Sequence, residues 1–125
     1  MPMLDIIYGV LLVLHGLVHL AWFAPTQPDE FPFRWKSLLL PHASEATLKR
    51  YISPMIVAQA VLFALAALGV WGVPLLAAAW VPMAIVAVAL STTIMVLLWH
   101  PWFFTGPAVN LLILGKAIWD LGLIR

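Results

Sequence analysis

Four long apolar stretches, separated by breaks rich in proline and glycine, constrain the fold of this chain more than any other feature. At about 1.5 Å per residue, each is long enough to cross a bilayer core of about 30 Å as a helix. The chain is 65% hydrophobic and 9% charged, against about 45–50% and about 25% in a typical soluble domain. We therefore predict a single domain, 1–125, with transmembrane helices at approximately 4–24, 54–71, 75–99 and 103–123.

Composition also excludes several classes of function. The net charge is +1 and no basic run is present, which argues against nucleic acid as a partner. The chain has no cysteine, so disulfides, thiolate metal sites, iron–sulfur clusters and thiol redox chemistry are excluded. The N-terminus lacks a basic region, and the apolar run that follows is longer than the core of a signal peptide. We expect a retained first helix rather than a cleaved signal.

The connections between the predicted helices determine the topology. Those after helices 2 and 3 are too short for anything except antiparallel hairpins, which predicts an all-α, up-down four-transmembrane-helix bundle. The connection between helices 1 and 2 is long and amphipathic, and Ser44 can cap a short helix there, from Glu45 to Ile52, that runs into helix 2. We expect helix 2 to begin afterwards, with Ser53 as its N-cap and Pro54 at its first position.

Basic residues indicate how the bundle is oriented. The long connection between helices 1 and 2 contains Arg34, Lys36, Lys49 and Arg50. The opposite side has only Lys116 and Arg125. The positive-inside rule therefore predicts a cytoplasmic long loop with both termini outside, in a bacterial inner membrane. The tryptophans, Trp22 among them, map mostly to the span ends and predict an aromatic belt at the interfaces.

Because successive helices alternate in direction, position in the sequence converts into depth in the membrane. The imidazoles of helix 1, the amides of helices 2 and 4 and the hydroxyls of helix 3 fall within roughly 6–14 Å of the same membrane face. The residues concerned are His15, His19, Gln59, Ser91, Thr92 and Asn110. The two histidines are four residues apart and share one helix face. We predict a histidine-lined ligand-binding site in the cytoplasmic half of the bundle.

The histidine pair admits three interpretations. The imidazoles can hydrogen-bond across the bundle to Ser91, Thr92, Asn110 or Gln59 as structural contacts between helices. They can bind a small polar ligand, such as a quinone head group, a lipid or a transported solute. With His100 from the end of helix 3, His15 and His19 can also supply three nitrogen ligands to a metal ion. In a variant of that interpretation, His19 and His100 hold a b-type haem.

A second group of polar residues is predicted in the other half of the bundle. Asp5 near the start of helix 1 should match Lys116 and Asp120 of helix 4 in depth. A lysine at that depth needs a carboxylate partner or a path to the interface. The cluster is either a structural clamp between helices 1 and 4 or part of a proton or ion relay.

Three short motifs carry a resemblance. They are His15-Gly16-Leu17-Val18-His19, the stretch from Leu90-Ser91 to Trp99, and Gly106-Pro107-Ala108-Val109-Asn110-Leu111-Leu112-Ile113-Leu114. In these motifs the chain resembles uncharacterised small bacterial four-span membrane proteins with a His-x-x-x-His pair in helix 1. The resemblance implies a four-span fold and draws attention to His15, His19, Ser91 and Asn110 as one constellation. It implies no activity.

These features together predict a small integral membrane protein that acts as a binding or accessory subunit, or as a carrier of a small ligand. A four-span bundle of this size leaves most of its apolar surface to lipid, to further copies of itself or to a larger membrane complex. The alternatives are a metal- or haem-dependent membrane oxidoreductase and a proton-coupled small transporter. The sequence leaves open whether the protein is an enzyme.

Overall fold

A computed structural model of the chain describes residues 2–25 and 32–122, and within these ranges it is all-helical, with no strand. Two short 3₁₀ helices, His19–Phe23 and Pro101–Phe104, adjoin the α-helices. The four α-helices are α1 (Met3–Val18), α2 (Glu45–Val70), α3 (Leu76–Leu97) and α4 (Thr105–Asp120). In chain order each α-helix packs against the next, and hydrogen bonds between α1 and α4 close the bundle.

Three helical segments are long and apolar enough to cross a membrane: Met3–Phe23, Glu45–Val70 and Leu76–Leu97. The protein is therefore a helical protein of the integral membrane class. In the first segment the α-helix tightens into the 3₁₀ helix at His19, and Pro25 follows its last turn. Proline restricts the residue before it to extended conformations, which explains why the helix ends there.

The predicted start of helix 2 is wrong. Ser53 does not cap a helix and Pro54 does not open one, because α2 runs without interruption from Glu45 and contains Pro54. Its N-cap is Ser44, whose hydroxyl accepts a hydrogen bond of 3.1 Å from the Thr47 amide. The helix has 26 residues and is therefore about 39 Å long, several ångströms more than a bilayer core.

A tight turn joins α2 to α3. The Val73 amide donates to the Leu68 carbonyl and the Gly72 amide to the Gly69 carbonyl, both at 3.0 Å. This pair of hydrogen bonds is a Schellman motif, which needs a left-handed residue just after the helix. Gly72 supplies it with a φ of 86°. The tightness of the turn makes α2 and α3 antiparallel and closely packed.

The observed α3 and α4 are shorter than the spans expected at 75–99 and 103–123. The α3 helix ends at Leu97, two residues before the expected limit. The α4 helix has 16 residues, and the 3₁₀ helix Pro101–Phe104 precedes it. Residue 123 lies outside the described residues. At about 24 Å, α4 alone is shorter than a bilayer core.

The buried apolar side chains form two separate clusters along the bundle axis. One cluster contains Leu12, Phe63, Val88 and Ile113 and lies toward the start of α1. The other contains Trp22, Ile56, Ile94 and Phe103 and lies toward the connection between α1 and α2. On every helix, the segment between the two clusters carries a buried polar residue. The fold therefore sandwiches a polar layer between two hydrophobic layers.

Candidate functional site

The polar layer brings together side chains from three of the four helices. His15 of α1, His19 just beyond it, Ser91 of α3 and Asn110 of α4 are all buried and joined by hydrogen bonds. Thr92 joins them from the exposed face of α3. The structure thus assembles five of the six residues expected in the ligand-binding site.

The hydrogen bond between His15 and Asn110 determines which nitrogen of His15 carries a proton. The distance from His15 Nε2 to Asn110 Oδ1 is 2.7 Å. An amide oxygen only accepts hydrogen bonds, so Nε2 of His15 must be the donor. In the neutral ring, Nδ1 of His15 then holds a lone pair, and no described residue forms a hydrogen bond with it.

His19 has the opposite tautomer. Its Nδ1 lies 2.9 Å from the His15 carbonyl oxygen, which can only accept. Nδ1 of His19 is therefore protonated, and in the neutral ring Nε2 accepts a hydrogen bond from the Ser91 hydroxyl at 2.9 Å. Both ring nitrogens of His19 are engaged.

Asn110 completes the network. Its Nδ2 donates to Ser91 Oγ at 3.2 Å and to Thr92 Oγ1 at 3.0 Å. Ser91 thus donates to His19 while it accepts from Asn110. Every N–H and O–H donor of these hydrogen bonds points to an acceptor. Because each bond fixes the direction of the next, the network locks both histidine rings in place.

Gln59 belongs to the same layer but stands apart from the network. Its Nε2 donates to the Gly16 carbonyl at 3.0 Å and to the Ile56 carbonyl at 2.9 Å, which ties α2 to α1. Its Oε1 is buried and has no hydrogen-bond partner among the described residues. The geometry therefore assigns Gln59 to helix packing rather than to the group around His15.

A cavity of about 150 Å³ adjoins the network. It lies between the end of α1, the 3₁₀ helix before α4 and the facing turns of α3 and α4. The lining residues are His15, Val18, His19, Trp22, Phe33, Met95, Phe103, Thr105, Gly106 and Val109. Apolar cavities of roughly this volume hold a single aromatic ring in other proteins. The cavity combines a mostly apolar wall, with Trp22, Phe33 and Phe103 on its aromatic side, with two imidazoles, which is typical of small-ligand sites.

The prediction that Trp22 belongs to an aromatic belt is wrong. Its side chain is 2% exposed and stacks edge-on against Phe33 and Phe103, with ring centroids at 4.8 and 5.3 Å. The aromatic wall, including Phe33 and Phe103, was not anticipated from the sequence. One signal did point to Trp22, because it follows His19 by three residues and therefore shares its helix face.

A metal site built from His15, His19 and His100 does not fit the observed geometry. Among the described residues, no three His, Cys, Asp or Glu side chains come close enough to hold a metal ion. The His100 ring lies against Phe103, at 5.9 Å between centroids. A haem held by His19 and His100 fits no better, because neither nitrogen of His19 is available for iron.

The contact between Ser91 and His19 resembles a nucleophile beside its general base. The 2.9 Å separation is within the range of such pairs. Ser91 is completely buried, however, and does not line the cavity. An electrophilic substrate cannot reach its hydroxyl, so the serine orients His19 instead of attacking a bound molecule.

The predicted charge cluster lies at the other end of the bundle. Lys116 Nζ is 2.8 Å from Asp120 Oδ2 and 3.8 Å from Asp5 Oδ1. The ammonium group also lies over the rings of Tyr8 and Trp80, at 5.1 and 5.8 Å from their centroids. Cation–π contacts and two carboxylates satisfy this charge without a ligand. The cluster links α1, α3 and α4.

Comparison of the chain with protein-family models, with curated proteins and with solved structures finds no match.

Proposed function

We propose that this protein is a four-span protein of the bacterial inner membrane, related to the small four-span proteins that its motifs resemble. It binds a small ligand in the cavity beside His15 and His19, in the cytoplasmic half of the bundle. The ligand is a single ring with a hydroxyl group, such as the head group of a quinol. The protein acts as a binding or accessory subunit or as a carrier.

One observation carries this proposal: an apolar cavity of about 150 Å³ is bordered by His15, whose Nδ1 accepts no hydrogen bond from the described residues. In the tautomer that Asn110 imposes, this nitrogen is an acceptor. A ligand with an O–H or N–H donor therefore complements it, whereas a bare carbonyl does not. The aromatic wall supplies ring contacts of the edge-to-face kind.

The fourth span consists of α4 together with the 3₁₀ helix before it. The two segments run consecutively from Pro101 to Asp120 and have a combined length of about 32 Å. This length matches the bilayer core. The basic residues between α1 and α2 favour a cytoplasmic position for that connection, with both termini outside.

Exposed apolar side chains support contact with lipid or with further protein subunits. On α1 alone, Ile7, Leu14 and Leu17 are at least half exposed. In a membrane these side chains face acyl chains or another chain. We propose that the protein works as a homo-oligomer or within a larger membrane complex, which extraction in a mild detergent followed by mass measurement tests.

The ligand proposal is tested with a matched pair of probes and a matched pair of variants. Phenol has the ring and the donor, whereas anisole has the ring alone. Val109→Phe fills the cavity, and Leu112→Phe adds the same side chain at an exposed position of the same helix. Saturation-transfer NMR on the purified protein should show phenol binding that anisole does not match.

We expect phenol binding to survive in Leu112→Phe and to be lost in Val109→Phe. Equal signals for phenol and anisole in all three proteins contradict the proposal, because they indicate partition into detergent. A phenol signal that Val109→Phe leaves unchanged places the binding elsewhere and contradicts it too.

A further inference from the structure

A second and larger cavity, of about 410 Å³, lies where the first span ends and α2 begins. It is lined mostly by polar and aromatic residues, in contrast to the cavity beside His15. The lining includes Trp22, Arg34, Trp35, Lys36, Glu45, Lys49 and Ser53. We call it the cationic cavity, because three of these side chains are positively charged and one is negatively charged.

The charges of the described residues that line the cationic cavity favour an anionic ligand. Lys49 forms an ion pair of 2.9 Å with Glu45, and both side chains are more than half exposed. An exposed pair of this kind contributes little to stability and gives way easily to a better partner. Lys36 is exposed as well and has no carboxylate within ion-pair distance among the described residues.

The walls of the cationic cavity are held in place by two tryptophans. Trp22 donates a hydrogen bond of 3.2 Å from Nε1 to the Arg34 carbonyl. Trp35 is buried, and Lys49 Nζ lies 5.9 Å from the centroid of its ring. The backbone that carries Arg34 and Lys36 is thus fixed against the end of the first span, which preorganises the cations for a ligand.

We propose that the cationic cavity binds a phosphate group, and that the phosphate belongs to the head group of an anionic phospholipid. Lysine and arginine are the usual partners of phosphate. The residues that follow Lys36 favour a lipid source, because Leu38, Leu39 and Leu40 are exposed by 74, 61 and 48%. Three exposed leucines beside exposed cations are typical of a segment at the membrane interface.

This inference is independent of the ligand proposed for the cavity beside His15. The two cavities share one wall residue, Trp22. Their other walls differ in chemistry, and no residue varied in the test of the cationic cavity lines both. Failure of one proposal therefore leaves the other standing.

The test measures phospholipid retention by the full chain in native mass spectrometry. The protein is released from micelles that contain equal amounts of phosphatidylglycerol and phosphatidylcholine. The double variant Lys36→Gln/Lys49→Gln removes two cations of the cavity. Arg50→Gln is the matched control, because Arg50 neighbours Lys49 in sequence and is exposed without lining the cavity.

The wild-type protein should retain phosphatidylglycerol in preference to phosphatidylcholine. Each lysine near a membrane surface contributes about 1 kcal/mol to binding of anionic lipid, so the double variant should weaken retention about 25-fold. Arg50→Gln removes one surface cation outside the cavity, so it should weaken retention by no more than about fivefold. Glu45→Gln removes the negative charge and should tighten binding several-fold, a gain that misfolding cannot produce.

Inorganic phosphate, added as a competitor, separates the two sources of the phosphate group. If it fails to displace phosphatidylglycerol, the lipid is the ligand, as proposed. If it displaces the lipid, and if the double variant weakens inorganic phosphate as much as it weakens the lipid, the phosphate site stands and the lipid source is overturned. The site itself is overturned if Arg50→Gln and the double variant lose equal amounts of lipid retention. It is also overturned if the wild-type protein neither prefers phosphatidylglycerol to phosphatidylcholine nor binds inorganic phosphate.

Discussion

Replacement of Asn110 by leucine tests the polar layer most sharply. The leucine side chain is close to asparagine in size but removes one acceptor and two donor bonds, to His15, Ser91 and Thr92. Hydrogen bonds between membrane helices average about 0.6 kcal/mol each, so three of them come to about 2 kcal/mol. The true loss should lie at or above this value, because the His15 N–H is left buried without a partner.

The assay is reversible unfolding of the purified protein in mixed micelles, by titration with a denaturing detergent. Leu111→Ala is the control, since Leu111 is the next residue on the same helix and is 69% exposed. It should change the free energy of unfolding by less than about 0.5 kcal/mol. A loss in Asn110→Leu no larger than that of the control refutes the network as a source of stability.

A double-mutant cycle isolates the contact between α3 and α4. Ser91→Ala, Asn110→Leu and their combination should show a coupling energy of about 0.6–1.7 kcal/mol, since the two side chains share a hydrogen bond of 3.2 Å. Additive losses would mean that Ser91 and Asn110 act independently, contrary to the directional chain of hydrogen bonds.

Four further changes test other parts of the fold. Gly69→Ala should lower the free energy of unfolding by about 1–3 kcal/mol, because its Cβ would clash with the backbone at the start of α3. Gly115→Ala, which meets nothing within 4 Å, should raise it by about 0.5–1 kcal/mol in the same assay. Leu75→Gly should raise it by about 1 kcal/mol, because Leu75 has a φ of 72° that favours glycine. Trp22→Phe removes the hydrogen bond to the Arg34 carbonyl and should speed trypsin cleavage after Arg34 about fivefold. Unchanged stability would contradict the close packing of Gly69 on α3 in the first case and the backbone strain at Leu75 in the second. An unchanged cleavage rate would contradict the hydrogen bond of Trp22.

The helical class and the layer of polar residues were predictable, because both follow from periodicity and depth. A helix rises by a fixed distance per residue, so His15, Ser91 and Asn110 had to fall at similar depths once the spans were placed. The sequence indicated Ser91, Thr92, Asn110 and Gln59 as partners of the histidines, but not which of them each ring contacts. Depth places Gln59 at the same level, yet rotation about the helix axis directs its amide to the Gly16 carbonyl instead.

Local signals predicted the Ser44 cap of α2 correctly, but they also indicated a second helix start at Ser53 and Pro54 that the structure does not have. Ser53 and Pro54 are favoured at a helix N-terminus, but both lie inside α2. Ser44 provides an equally good cap upstream, and Leu48 and Ile52 bury their side chains in the core only if the helix is continuous. Tertiary packing therefore outweighs the missing N–H of Pro54. The aromatic wall was missed for a related reason, since Phe33 and Phe103 meet only after the chain has folded.

His15 and His19 hold opposite tautomers beside a cavity, which leaves Nδ1 of His15 as the acceptor for the proposed ligand. Nitrogen NMR of the protein with ¹⁵N-labelled histidine rings measures this directly. We expect a proton on Nε2 of His15 and on Nδ1 of His19. Phenol should shift the Nδ1 signal of His15 and leave the His19 signals unchanged. The same tautomer in both rings, or a phenol response that is equal for all four histidines, would contradict it.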